Sequence, residues 1–160
     1  MSEYEIPAEE TTPEVEPTVI VAEYTDGSAA AYVDADGDGF ADAVAIDEDG
    51  DGQVDKAFVD ADGDGRLETL LADTDNDGEP DLLLQDTNGD GRVDLAAEDT
   101  NGDGLIDVAV ADTNFDGRAD VAARDVDFDG QEDVVIGDTN GDGTFDTAVY
   151  TDPATNPYAR

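Results

Sequence analysis

Carboxylates carry whatever chemistry this sequence can do, and they arrive at a fixed interval. Asp34, Asp47, Asp60, Asp73, Asp86, Asp99, Asp112, Asp125 and Asp138 fall every 13 residues without a slip. Each opens a unit that reads D-x-[DN]-x-D-G-x-x-[DE] and ends in four mostly apolar residues. Position 3 is Asp36, Asp49, Asp62, Asp75, Asn88, Asn101, Asn114, Asp127 and Asn140. Position 5 is Asp38, Asp51, Asp64, Asp77, Asp90, Asp103, Asp116, Asp129 and Asp142, and position 6 is always Gly. Position 9 is Asp42, Asp55, Glu68, Asp81, Asp94, Asp107, Asp120, Asp133 and Asp146.

Histidine and cysteine are absent, so nitrogen and thiolate ligands are unavailable and no disulfide framework exists. The remaining donors are carboxylates, Asn amides and backbone carbonyls. These are hard oxygen ligands, which suit calcium, and magnesium less well because it takes fewer carboxylates and keeps its waters. Asp, Asn and Gly also make ordinary turns. A turn needs one or two of them, whereas each unit gathers about four carboxylate or amide groups, whose mutual repulsion calls for a cation.

The first nine positions resemble the calcium loop of EF-hands, and more closely the shorter loops of thrombospondin type 3 repeats, dockerins and FG-GAP blades. The resemblance implies that side chains 1, 3, 5 and 9 converge on a calcium ion and that Gly makes the sharp turn. It also implies that position 7 gives its carbonyl: Phe40, Gln53, Arg66, Glu79, Arg92, Leu105, Arg118, Gln131 and Thr144. About nine ions would then bind. The Glu that closes an EF-hand at position 12 is missing, and Glu68 alone replaces Asp at position 9.

What must hold these loops follows from the spacer. Four residues are barely one helical turn, too short for the flanking helices of an EF-hand or dockerin. Segments such as DAVAI, DLLLQ and DVVIG read as short strands, with positions 8, 10 and 12 on one face and an apolar position 11 on the other. Position 8 holds Val54, Leu67, Val93, Ile106 and Phe145. Loop and strand alternating without helix predict an all-β fold: a calcium-stabilised parallel β-solenoid over 34–150. Its architecture is similar to the RTX β-roll, although the RTX nonapeptide motif is absent.

A 26-residue alternation points to two units per coil. Arg66, Arg92 and Arg118 recur at that spacing in position 7. Large residues at position 12 (Phe58, Leu84, Val110, Ile136) alternate with Ala45, Leu71, Ala97, Ala123 and Val149. Two inequivalent sheets would produce this, as would descent from a duplicated ancestor. Residues 18–33 are expected to form N-terminal cap strands, 1–17 a disordered acidic leader, and 151–160 an irregular tail.

The chain has 160 residues, 45 acidic and 6 basic, for a net charge of −39. Such a surface repels nucleic acid and anionic membranes and attracts cations. No apolar run is long enough to span a bilayer, so membrane insertion is not expected. Every carboxylate pair that could pose as acid and base sits at a repeat position explained by ligation, so the chain is not expected to be an enzyme. The leading expectation is a calcium-binding module that folds on its ions and serves a structural, adhesive or spacer role. The alternative is a high-capacity calcium or lanthanide buffer or sensor. Millimolar calcium and the lack of Cys point to the outside of a bacterial cell; the N-terminus shows no secretory pattern, which keeps the cytoplasm open. Phe115 and Phe128 break the loop pattern at position 4, as aromatic contacts for a partner or as cover for a local gap.

Overall fold

The computed structural model describes residues 16–156. Every regular element in them is a strand: β1 (Thr18–Glu23), β2 (Ala29–Asp34), β3 (Ala43–Asp47), β4 (Lys56–Val59), β5 (Thr69–Ala72), β6 (Leu82–Gln85), β7 (Leu95–Glu98), β8 (Val108–Ala111), β9 (Val121–Arg124), β10 (Val134–Gly137) and β11 (Thr147–Tyr150). From β3 onward each strand begins at position 10 of its unit, so the period seen in the sequence is the period of the fold.

The eleven strands form one sheet in sequential order, and each neighbouring pair is antiparallel. This corrects the expected parallel coil. A parallel neighbour requires the chain to travel back by a crossover of about a dozen or more residues. The nine loop residues instead close a hairpin. The Asp42 N–H donates to the Val33 carbonyl (2.7 Å), and Asp55 to Ile46 (2.9 Å). The carbonyl of position 9 then accepts from the first Asp two units on, as in Asp60 to Asp42 (2.8 Å) and Asp73 to Asp55 (2.9 Å). One residue therefore ties three strands together.

The meander explains the alternation that had suggested two sheets. Successive loops emerge on opposite edges, so loops two units apart are neighbours along one edge. Directly opposed residues share a face, and the register aligns Val44, Phe58, Leu70, Leu84, Ala96, Val110, Ala122 and Ile136 on one side. Ala45, Ala57, Leu71, Leu83, Ala97, Ala109, Ala123 and Val135 lie on the other. Large and small residues at position 12 thus mark two faces of one sheet.

A single layer leaves little room for an apolar core. Among the described residues, Ala30, Val44 and Ala72 are the buried hydrophobics, while nine Asp side chains are buried. The expected cap segment forms the hairpin β1–β2, which belongs to the same sheet, and β1 exposes Val19, Ile20 and Val21. After β11 the chain turns, and Thr151 N–H donates to the Asp133 carbonyl (2.8 Å), extending the ladder. The expected leader falls almost entirely, and the end of the tail wholly, outside the described residues.

Candidate metal-binding loops

Within each loop the backbone is wrapped around two carboxylates. Position 1 receives the position 6 N–H on one oxygen, as in Gly65 to Asp60 (2.8 Å) and Gly130 to Asp125 (2.7 Å). Its other oxygen takes the position 4 N–H in seven loops, as in Gly63 to Asp60 (2.6 Å) and Phe128 to Asp125 (2.7 Å), and the position 5 N–H in the other two, Asp77 to Asp73 and Asp116 to Asp112 (both 3.2 Å). The position 2 N–H donates to the carboxylate at position 9, as in Val126 to Asp133 (2.7 Å) and Ala61 to Glu68 (2.6 Å). Convergent N–H groups favour the charged form. Burial alone would raise the Asp60 carboxyl, but the N–H groups of Gly65, Gly63, Asp64 and Asp62 outweigh it and hold the pKa below the ordinary value. The same balance lowers Asp86, Asp99, Asp125 and Asp138.

Three carboxylates meet where position 3 is Asp. One oxygen from each member lies within 4.8 Å of the others in the sets Asp34–Asp36–Asp42, Asp47–Asp49–Asp55, Asp73–Asp75–Asp81 and Asp125–Asp127–Asp133. The fifth set, Asp60–Asp62–Asp64–Glu68, has four members. Position 5 joins only there. In every loop its side chain accepts the N–H of position 7, as in Phe40 to Asp38 (2.8 Å), which shapes the turn. These Asp-rich groups could bind metal ions. Position 3 bears the electrostatic strain: burial, then the charges of Asp77, Asp81 and Asp73, push Asp75 up. Burial and then Asp129, Asp133, Asp125 and Asp152 do the same to Asp127.

The loops with Asn at position 3 are built differently. All four pair it with Thr at position 2, a pairing visible in the sequence. Thr87 Oγ1 donates to Asp94 (2.9 Å), and Asn88 Nδ2 reaches the same carboxylate (3.3 Å). Thr100 and Asn101 serve Asp107 in the same way, and Thr139 and Asn140 serve Asp146. Neutral donors satisfy position 9 there, where a second carboxylate opposes it in the Asp loops.

The glycine at position 6 meets two demands. Its φ is left-handed in every unit, for example 86° at Gly130 and 88° at Gly117. At Gly65, Gly78, Gly117, Gly130 and Gly143 it also makes room for the position 7 side chain of the loop two units earlier. A Cβ on Gly130 would stand 2.8 Å from Leu105 Cδ1, and one on Gly117 would stand 3.0 Å from Arg92 Nη1. The position 7 residues named for their carbonyls thus have side chains that pack along an edge. Arg66, Arg92 and Arg118 lie along one edge, and Gln53 and Leu105 along the other. Phe115 and Phe128 occupy the left-handed region (φ 60° and 61°) and are about half exposed.

Fold and loops together define an all-β repeat protein with acidic, metal-competent turns on both edges of an open sheet. No protein-family model, curated protein or solved structure matches the chain.

Proposed function

We propose that this chain is a calcium-binding repeat module whose sheet is stabilised by ions held in its loops, and that it serves as a structural spacer. The observation that carries this reading is the loop 125–133. Asp125 and Asp133 are only 1% and 3% exposed, and Asp127 stands against both. Charged groups are almost never so buried without a partner. Among the described residues the only salt bridges are Lys56–Glu48 and the long Arg66–Asp64 contact, so no basic side chain supplies that partner.

All-oxygen donor sets rich in carboxylate favour calcium over magnesium. With a Kd near 10⁻⁴ M and free calcium near 1 mM, each occupied loop adds about 1.4 kcal/mol. Five such loops would add about 7 kcal/mol, on the scale of a whole domain's stability.

Far-UV circular dichroism of the full chain in excess chelator and in millimolar calcium tests the proposal. Calcium should increase the β-structure signal and raise the melting temperature by many degrees. A chain equally folded and equally stable in chelator overturns it.

A further inference from the structure

Resting on that reading, we infer that loop 60–68 is a cation site unlike its siblings: the tightest on the chain and the first to fill. It is the one loop in which all four acidic positions converge, Asp60, Asp62, Asp64 and Glu68. Glu68 has one methylene more than the Asp found at position 9 of the other loops, and it takes the same position 2 N–H, that of Ala61.

A second observation singles out the same place. Among the described residues just two buried side-chain polar atoms have no hydrogen-bond partner, Glu68 Oε2 and Thr69 Oγ1, and they are neighbours at this loop. Thr69 is only 8% exposed. Glu68 Oε1 takes the Ala61 N–H, which leaves Oε2 sheltered and unpaired. In the loops containing Thr at position 2, the hydroxyl helps to satisfy position 9; both oxygens of Asp81 and of Asp120 are bonded by Thr74 and Thr113. Ala61 has no hydroxyl to offer. An orphaned carboxylate oxygen beside three further carboxylates is the donor set of a cation, since leaving such an atom buried and unmatched is costly.

The surroundings suit an arriving ion. Asp62, Asp64 and Glu68 line a cleft of about 510 Å³ that opens toward Asp86 and Asn88 of the next loop on the same edge. Arg66 is the nearby cation, but its Nε lies 4.0 Å from Asp64 and its Nη1 donates across the cleft to the Gly89 carbonyl (3.4 Å). One stretched charge opposes four.

Calcium calorimetry with a competing chelator on the full chain decides the matter. Wild type should show one ion bound at least about tenfold more tightly than the rest, because ligand charge sets affinity in such loops. Glu68→Asp and Asp64→Asn should each remove that first step. Asp38→Asn, the position 5 change in a loop where this residue stands outside the cluster, should leave it in place. The dichroism spectrum in saturating calcium confirms that each variant folds. A single class of sites in wild type, or a tight step surviving both loop 60–68 variants, overturns the inference while leaving calcium binding intact. A chain that takes up no calcium overturns the calcium reading and this inference together.

Discussion

Two glycines at the same loop position, one unit apart, give the meander a controlled test. Gly50 and Gly63 both sit at position 4, with φ of 79° and 77°. Each N–H donates to the first Asp of its loop at 2.6 Å. Alanine at either position must adopt the left-handed conformation, which costs about 1–2 kcal/mol. The loop itself tolerates this, since Asn76, Phe115 and Phe128 already adopt φ near 60° at position 4. The surroundings differ. A Cβ at Gly63 meets nothing within 4 Å, whereas at Gly50 it would stand 2.7 Å from the Gly27 carbonyl oxygen and 2.9 Å from its carbon. Gly27 is backbone of the β1–β2 turn, the neighbour of loop 47–55 along its edge, so main chain must move. Overpacking of that kind adds about 1–3 kcal/mol. At about 2–4 °C per kcal/mol for a chain of this size, Gly63→Ala should lower the melting temperature by about 2–8 °C. Gly50→Ala should fall roughly 2–12 °C below that. Thermal melts followed by far-UV dichroism in saturating calcium read both. Equal losses, or a larger loss at Gly63, would refute the stacking of the turn on loop 47–55.

Acid should act on the ion-free chain in two opposite stages. Asp75 and Asp127 have raised pKa values, so the folded state binds their protons more tightly than the unfolded one, and stability grows as pH falls through those values. Asp60, Asp86, Asp99, Asp125 and Asp138 are lowered; their contribution is present above the ordinary aspartate value of about 3.9 and is lost as pH drops below it. Melts in chelator should therefore show a stability maximum between neutrality and about pH 4, and a steady decline from pH 7 would contradict the carboxylate geometry. Deletions probe the edge and face alternation. Removing 86–111 takes out two units and returns every later loop to its own edge, so cooperative calcium-dependent melting should survive. Removing 86–98 moves Val110 and Ile136 to the opposite face, where small residues dominate, and should broaden and lower the transition; equal behaviour of the two deletions would count against the sheet order.

The sequence made the loops legible because ligand geometry is local. Asp, Asp and Asp at positions 1, 3 and 9 do come together, as in Asp34, Asp36 and Asp42. Position 5 stands apart for a local reason as well: the side chains of Asp38 and its counterparts accept the N–H two residues on, and only Asp64 also reaches a cluster. The direction of the strands was a different problem. A 13-residue period serves a coil and a hairpin equally well, and pattern alone does not tell one from the other. The alternation at position 12 fits the hairpins, because their register sets Phe58 opposite Leu70 and leaves Leu71 on the other face, but two inequivalent sheets would show the same alternation. Relations along an edge stayed hidden: that Leu105 lies against Gly130, two units on, cannot be read from one unit.

A residue that bridges three strands has a mechanical meaning. Along this sheet the strands lie side by side, so tension between the two chain ends pulls on the ladder one strand at a time, like a zipper, and not on all its bonds in shear. Each opened unit exchanges a strand spacing of about 4.8 Å for up to about 45 Å of extended chain. The bonds that yield at every step are those of position 9, where Asp60 reaches Asp42 and Asp73 reaches Asp55, and these residues also line the acidic loops. With calcium in the loops, extension and ion release become one event. If the loops hold calcium as proposed, the chain would behave as a spring whose stiffness is set by the calcium around it and which would recoil as its loops refill.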